Sequence, residues 1–342
     1  MKRIIYLTCI VALGLTLGNI DARAQEAYYQ GKVVKMVLGH SPGGGYDAYT
    51  RLIGRHLGKY LPGNPSVVVE NMPGAGSMIS ANYNYNVAKP DGLTIGHFSG
   101  GLIAQQLLGQ SGIKFDARKF EYVGAPAQDN FAIGLTKASG ITSMDKWLAS
   151  KTPVKLGGTA PGGASVDIPK LLKATIGLPL QIISGYKGTS DIRLATETGE
   201  VAGFATGWES FKSTWRKALD TGDAIIVLQV VPKPHPELPK VPLAINYAKT
   251  DEAKKLIRVG GHDAGAVARP YVLAPGTPKE IVQMVRRAFD QVVKDPELLA
   301  EAKKAKLDVE PMSGQELEEI VNGLFKLEPS LIAKWKEILA SK

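Results

Sequence analysis

Between residues 33 and 95 the chain alternates short β-branched runs with longer stretches of helical spacing. Val33-Val34-Lys35-Met36-Val37-Leu38 reads as a strand and a helix follows from about Asp47. Ser66-Val67-Val68-Val69 reads as a second strand, a helix follows from about Ser77, and Leu93-Thr94-Ile95 completes a βαβαβ order. That order predicts a parallel sheet covered by helices, with ligands bound at the loops beyond the strands' carboxyl ends. The pattern restarts after Ala125-Pro126 with Phe131 to Leu135, a helix opened by a Thr142-to-Asp145 capping box, Val154-Lys155-Leu156, a helix near Asp167 to Ile176, and Gln181-Ile182-Ile183.

From Val230 to Pro242 repeated prolines forbid helix and interior strand, so this stretch reads as a connection at a domain edge. Beyond it lie one strand, Tyr271-Val272-Leu273, and amphipathic helices from Pro278 to about Val293, from Pro296 to about Ala305 and from Ser313 to the end. A lone strand cannot form its own sheet and should rejoin the first unit. The expected architecture is therefore α/β in two domains, residues 25–125 plus 246–342 and residues 126–245. Each should be a mostly parallel sheet flanked by helices, with a ligand cleft between them.

Residues 1–24 are set apart as an export signal. Lys2-Arg3 precede an apolar run from Ile4 to Leu17, and Ala22-Arg23-Ala24 offers a cleavage site after Ala24. Their removal takes away Lys2, Arg3, Arg23 and Asp21, lowering the formal charge from +9 to +7, together with Cys9, the only cysteine. A chain without a disulfide must be held by core packing and hydrogen bonds. The basic residues are scattered among acids, as in Lys279-Glu280 and Lys294-Asp295, which suits solubility and argues against nucleic acid.

The stretch Gly39-His40-Ser41-Pro42-Gly43-Gly44-Gly45-Tyr46-Asp47 lies directly after the first strand and before a helix. Its glycines let a ligand approach backbone amides, and the helix dipole favours an anion there. Standing alone, it reads as a tight turn with Asp47 as a helix cap. A second such loop, Gly157-Gly158-Thr159-Ala160-Pro161-Gly162-Gly163-Ala164-Ser165, occupies the same place in the other unit. Two loops facing one cleft point to a seat for a carboxylate. No Lys-Ser/Thr follows the first glycines and no G-x-G-x-x-G pattern fits, so no nucleotide cofactor is implied.

Pro42-Gly43-Gly44-Gly45 with Asp47, Glu70-Asn71 with Pro73-Gly74-Ala75-Gly76, and Pro90-Asp91-Gly92 resemble the receptor family of tripartite tricarboxylate transporters, also called Bug-type binding proteins. The resemblance continues through the second glycine loop, Tyr186-Lys187-Gly188, Gly199-Glu200-Val201, Ala274-Pro275-Gly276-Thr277-Pro278, Asp295-Pro296 and Trp335, across essentially the whole mature chain. It implies a type II-like periplasmic binding protein that traps a small organic acid and delivers it to a membrane permease. It also implies a monomer, without catalytic residues, cofactor or metal. By that resemblance the ligand is held by the loops Ser41, Pro42, Gly43, Gly44, Gly45, Tyr46 and Asp47, and Thr159, Ala160, Gly162, Gly163, Ala164 and Ser165.

Two residues depart from the family pattern. Tyr46 stands where a small Thr is usual, and Asp167 stands where a His is common. Tyr46 and Trp208 are aromatic groups able to stack on a flat ligand, so an aromatic carboxylate joins the di- and tricarboxylates as a candidate. The plainer reading of Trp208 is packing at a helix start. Ser99, in Gly96-His97-Phe98-Ser99-Gly100-Gly101, follows a strand and is a candidate cleft residue. The alternative function is an exported serine hydrolase using Ser99, but His97 occupies the place where a nucleophile elbow needs glycine. His40, His56, His97, His235 and His262 show no metal-ligand spacing.

Overall fold

The computed structural model describes residues 28–340; the export signal read on residues 1–24 lies outside them. Eleven strands form two sheets among the described residues. They are β1 (Val33–Leu38), β2 (Ser66–Asn71), β3 (Thr94–His97), β4 (Glu121–Ala125), β5 (Phe131–Thr136), β6 (Val154–Gly158), β7 (Leu180–Ser184), β8 (Gly203–Gly207), β9 (Ala224–Val230), β10 (Tyr271–Leu273) and β11 (Met312–Ser313). The first sheet runs β11-β4-β10-β3-β1-β2 and the second β7-β6-β8-β5-β9.

Both sheets are mixed: most strands of each run one way, with β10 and β11 reversed in the first and β5 in the second. In the first, β1 is parallel to β2 and β3, whereas β10 runs antiparallel between β3 and β4. In the second, β6 is parallel to β7 and β8, whereas β5 runs antiparallel between β8 and β9. The two units thus repeat one plan. In each, the antiparallel central strand is the first one laid down after the chain crosses from the other unit, so it enters against its neighbours.

The outgoing crossing occupies residues 126–130, where β4 ends and β5 begins. The return comes later than residue 246. Ala253 and Ile257 of helix Asp251–Ile257, together with Ala268, are buried with Ile133, Trp147, Leu156 and Leu172 in the second core, and the first sheet resumes only at Tyr271. The proline-rich segment folds back on the end of β9, whose Gln229 side-chain amide donates to the carbonyls of Leu238 and Val241.

The first core gathers Met36, Tyr49, Leu52 and Ile53 against helix Lys279–Val292. That helix buries Ile281, Val282, Val285, Ala288, Phe289 and Val292, the three-and-four spacing of one apolar stripe. The terminal helical pattern is two helices, Gly314–Leu324 and Pro329–Ala340, because Pro329 starts a new one. The last helix bridges the units: Leu331 and Trp335 pack with Ala104 and Leu108 of the first and Leu171 of the second. The short helix near residue 144 is capped by Ser143, not Thr142, with Ser143 accepting from the Lys146 amide.

Phe289→Ala empties a fully buried ring site against β4 and is expected to cost about 3–5 kcal/mol in chemical denaturation, with ligand binding of the remaining folded protein unchanged.

Candidate functional site

The first glycine loop opens helix Gly45–Leu57. Gly43 has φ 79°, and its amide donates to Asp47 Oδ2 at 2.9 Å. Asp47 also accepts from Arg51 Nε and from Asn71 Nδ2 at the end of β2, each at 2.9 Å. Burial alone pushes its carboxyl up, but the hydrogen bonds from Arg51, Gly43 and Asn71 hold it below the ordinary range. Asp47 is engaged in fastening its own loop.

The rest of that loop faces the other unit. Ser41 Oγ donates to Asp191 Oδ2 at 2.6 Å, and Ser190 Oγ donates to the Pro42 carbonyl at 3.0 Å. A Cβ on Gly44 would lie 2.8 Å from Thr189 Oγ1, and one on Gly45 2.0 Å from Ser210 Oγ. In this closed arrangement these glycines admit the second unit's helix starts rather than a ligand.

The second loop opens helix Ala164–Ile176 in the same way. Gly162 has φ 90°, and its amide lies 3.1 and 3.2 Å from the two Asp167 carboxylate oxygens, echoing Gly43 and Asp47. Ser165 Oγ accepts from the Thr159 amide at 3.0 Å, and the Gly163 amide donates to the Ala160 carbonyl. Ala160 abuts Gly76 of the loop that follows β2, where a Cβ would meet the alanine methyl at 3.1 Å. Ser77 makes no side-chain cap; its Oγ accepts from the Ser99 amide instead.

Between the loops lies a cavity of about 30 Å³, bordered by Tyr46 and Ser99 from the first unit, Gly162, Ala164, Asp167 and Ile168 from the second, and Trp335 from the bridging helix. Such a volume holds a water molecule, so a larger guest requires the units to separate. A groove of about 1410 Å³ opens at the far end of the second sheet, near Lys155, Arg193 and Trp215, but only the second unit lines it. Of the residues singled out in the sequence as ligand-binding, Tyr46, Ser99, Gly162 and Ala164 meet at the small cavity, joined by Asp167, which the sequence marked as a departure. Trp208 does not: its Nε1 donates to Glu237 Oε2 at 2.7 Å within the second unit. Phe131, Ile168 and Trp335, which also border the cavity, carry no local motif that marks them as a wall.

Behind the cavity, the two crossings are tied together. Arg269, just before β10, donates from Nε to Asp129 Oδ1 of the outgoing crossing at 2.5 Å and from Nη2 to Ser210 Oγ at 2.8 Å. Its guanidinium lies 4.6 and 4.7 Å from the rings of Tyr46 and Tyr49, and the side chains of the ion pair are wholly buried. Tyr46 in turn donates its hydroxyl to the Ala268 carbonyl and stacks on His40 at 4.2 Å. Glu209 accepts from Asn130 Nδ2 at 2.7 Å, and burial followed by the Asp129 charge pushes its carboxyl up to about 7. His40 and His97, at the carboxyl ends of β1 and β3, are held neutral, by burial first and by the Arg269 charge second. The one sequence signal for this cluster is a lone charge amid apolar residues, as in Ala266-Val267-Ala268-Arg269-Pro270.

Two groups of histidine and carboxylate converge elsewhere, Glu209 with His235 and Asp308, and His56 with Asp295 and Glu297. Each already receives a lysine ammonium: Lys212 on Asp308, and Lys59 on Asp295 and Glu297.

A family model described as tripartite tricarboxylate transporter family receptor matches residues 51–336. The UPF0065 protein in the gbd 5′ region of Cupriavidus necator is 26% identical over 332 residues, covering 94% of this chain and 92% of its own. Among solved structures, the periplasmic binding protein BugD superposes with a TM-score of 0.73 at 20% identity, covering 91% of this chain and 98% of that one. MatC from Rhodopseudomonas palustris with bound malate gives 0.70 at 18%, covering 90% and 98%. R. palustris Rpa4515 with adipate gives 0.69 at 21%, covering 89% and 95%. At these identities the structures establish a shared fold.

Two outcomes test the hinge cluster. Asp129→Ala strands the buried guanidinium and is expected to lose about 3–5 kcal/mol by denaturant titration, while Arg269→Met on top of it restores part of the loss. Glu209 binds its proton more tightly folded than unfolded, so its contribution is complete at low pH and is lost as pH rises towards about 7. Glu209→Gln should therefore flatten the fall in thermal stability between pH 5 and pH 8, and an unchanged slope would refute the assignment.

Proposed function

Since the chain belongs to the tripartite tricarboxylate transporter receptor family, we propose that it is a periplasmic solute receptor that closes on a small carboxylate and presents it to a membrane permease. The observation that carries this reading is the cavity itself, walled by both units and by the helix that bridges them. A guest that touches both jaws gains contacts only when they close, and so favours the closed state. The malate and adipate held by two proteins of the same fold support a carboxylate as the guest.

On this reading, the carboxylate sits where the two glycine loops approach each other. Tyr46 and Ser99 border it on one side, the Tyr46 hydroxyl held by the Ala268 carbonyl, and the loop of Thr159, Gly162, Gly163, Ala164 and Ser165 faces it from the other. Ser41, Pro42, Gly43, Gly44 and Gly45 serve the same site by letting the jaws meet, and Ala160 by its contact with Gly76. Asp47 shapes the first loop and Trp208 the second unit. The receptor acts as a monomer without cofactor. The hydrolase alternative finds no support in the geometry, since neither ring nitrogen of His97 has a hydrogen-bond partner and so neither holds Ser99.

A thermal-shift screen of the purified protein against mono-, di- and tricarboxylates, aromatic acids and neutral controls tests the proposal. An acid at a hundred times its dissociation constant should stabilise by about 2.7 kcal/mol. Ala164→Phe, whose ring exceeds the closed cavity and so holds the units apart, should weaken that acid by more than about tenfold. Equal affinity in this variant would remove the site from the cleft.

A further inference from the structure

The cavity wall carries a single charged side chain, Asp167. Its carboxylate is held by neutral groups alone, Gln105 Nε2 reaching across the cleft at 2.8 Å and the Gly162 amide. Among the described residues no cation lies within ion-pair distance of it. Asp47, Asp129 and Asp295, by contrast, pair with Arg51, Arg269 and Lys59. Lys170, three residues on, donates its ammonium to the Leu339 carbonyl at 2.6 Å, and its charge acts on Asp167 only from beyond ion-pair distance, offsetting little of what burial does to that carboxyl.

The remaining wall sorts by chemistry. Tyr46 and Ser99 place hydroxyls on the first unit's side, while Phe131, Ile168 and Trp335 supply apolar surface. A guest in this cavity meets hydroxyls, hydrocarbon and one carboxylate with which no cation pairs directly. We propose that the ligand is a monocarboxylate bearing a protonated amine at its far end, whose ammonium is received by Asp167.

The inference rests on the cleft being the carboxylate site proposed above. A dicarboxylate of the same length would set two like charges together away from water, which raises the cost of ionising both. An ammonium does the reverse. Burial already pushes the Asp167 carboxyl up to about 6, and a cation beside it brings it back to the fully ionised form, gaining a charge-assisted hydrogen bond.

Calorimetric titration of the wild-type protein with two matched pairs, 4-aminobutyrate against succinate and 6-aminohexanoate against adipate, tests the charge of the far end. The amino acid of at least one pair is expected to bind about tenfold more tightly or better than its dicarboxylate. Asp167→Asn keeps an acceptor for Gln105 and Gly162 while removing the charge, so it should fold normally and bring that ratio to within about threefold. A dicarboxylate preferred by the wild-type protein, or a ratio that survives Asp167→Asn, overturns this inference and leaves the receptor reading standing. If neither these acids nor any in the wider screen binds, both readings fall together.

Discussion

The arrangement of the two units depends on a buried ion pair between segments 140 residues apart. Arg269 and Asp129 each sit in one of the two strands of chain that pass between the sheets, and both side chains are shut off from water. A charge in such a place is stable only when it is met, and the guanidinium is met by a carboxylate, a hydroxyl and two aromatic faces. Removing any one partner leaves the others buried and unanswered. Because Tyr46 is at once a face of this cluster and a wall of the cavity, the hinge and the candidate site are built from shared atoms.

The glycine loops take on a second purpose in this light. Closure brings the start of helix Gly45–Leu57 against Thr189 and Ser210, and it brings Gly101 so near Gly162 that a Cβ would lie 2.4 Å from the carbonyl oxygen. Any side chain at these positions would hold the jaws apart. The absence of Cβ atoms is thus what permits the two units to approach so closely.

The succession along the chain of β1, β2 and β3, and of β5, β6 and β7, could be read from the alternation of β-branched runs and helical spacing, and so could the place of each glycine loop after a strand. Local pattern carries that information. The direction of β5 and β10 could not be read, because a strand of three to six apolar residues looks the same whichever way it runs. It was the crossing, a non-local event, that reversed them. The ion pair escaped notice for the same reason: neither Asp129 nor Arg269 has a neighbour in sequence that announces its partner. Trp208 follows a strand, as a site residue should, but Glu237 from the proline-rich segment draws its indole nitrogen away. Asp167 was visible as an unusual residue at a marked position, whereas its lack of a cationic partner became visible only once the second unit and Gln105 were set side by side.

Trp335 borders the cavity, while the other three tryptophans, Trp147, Trp208 and Trp215, are packed inside the second unit. It also belongs to the helix that leans on both units. Its indole therefore samples the cleft while three similar rings remain in a constant setting. On the function proposed above, the chain thus carries an optical reporter of its own occupancy, whose emission would change against a fixed background as the cleft empties or fills.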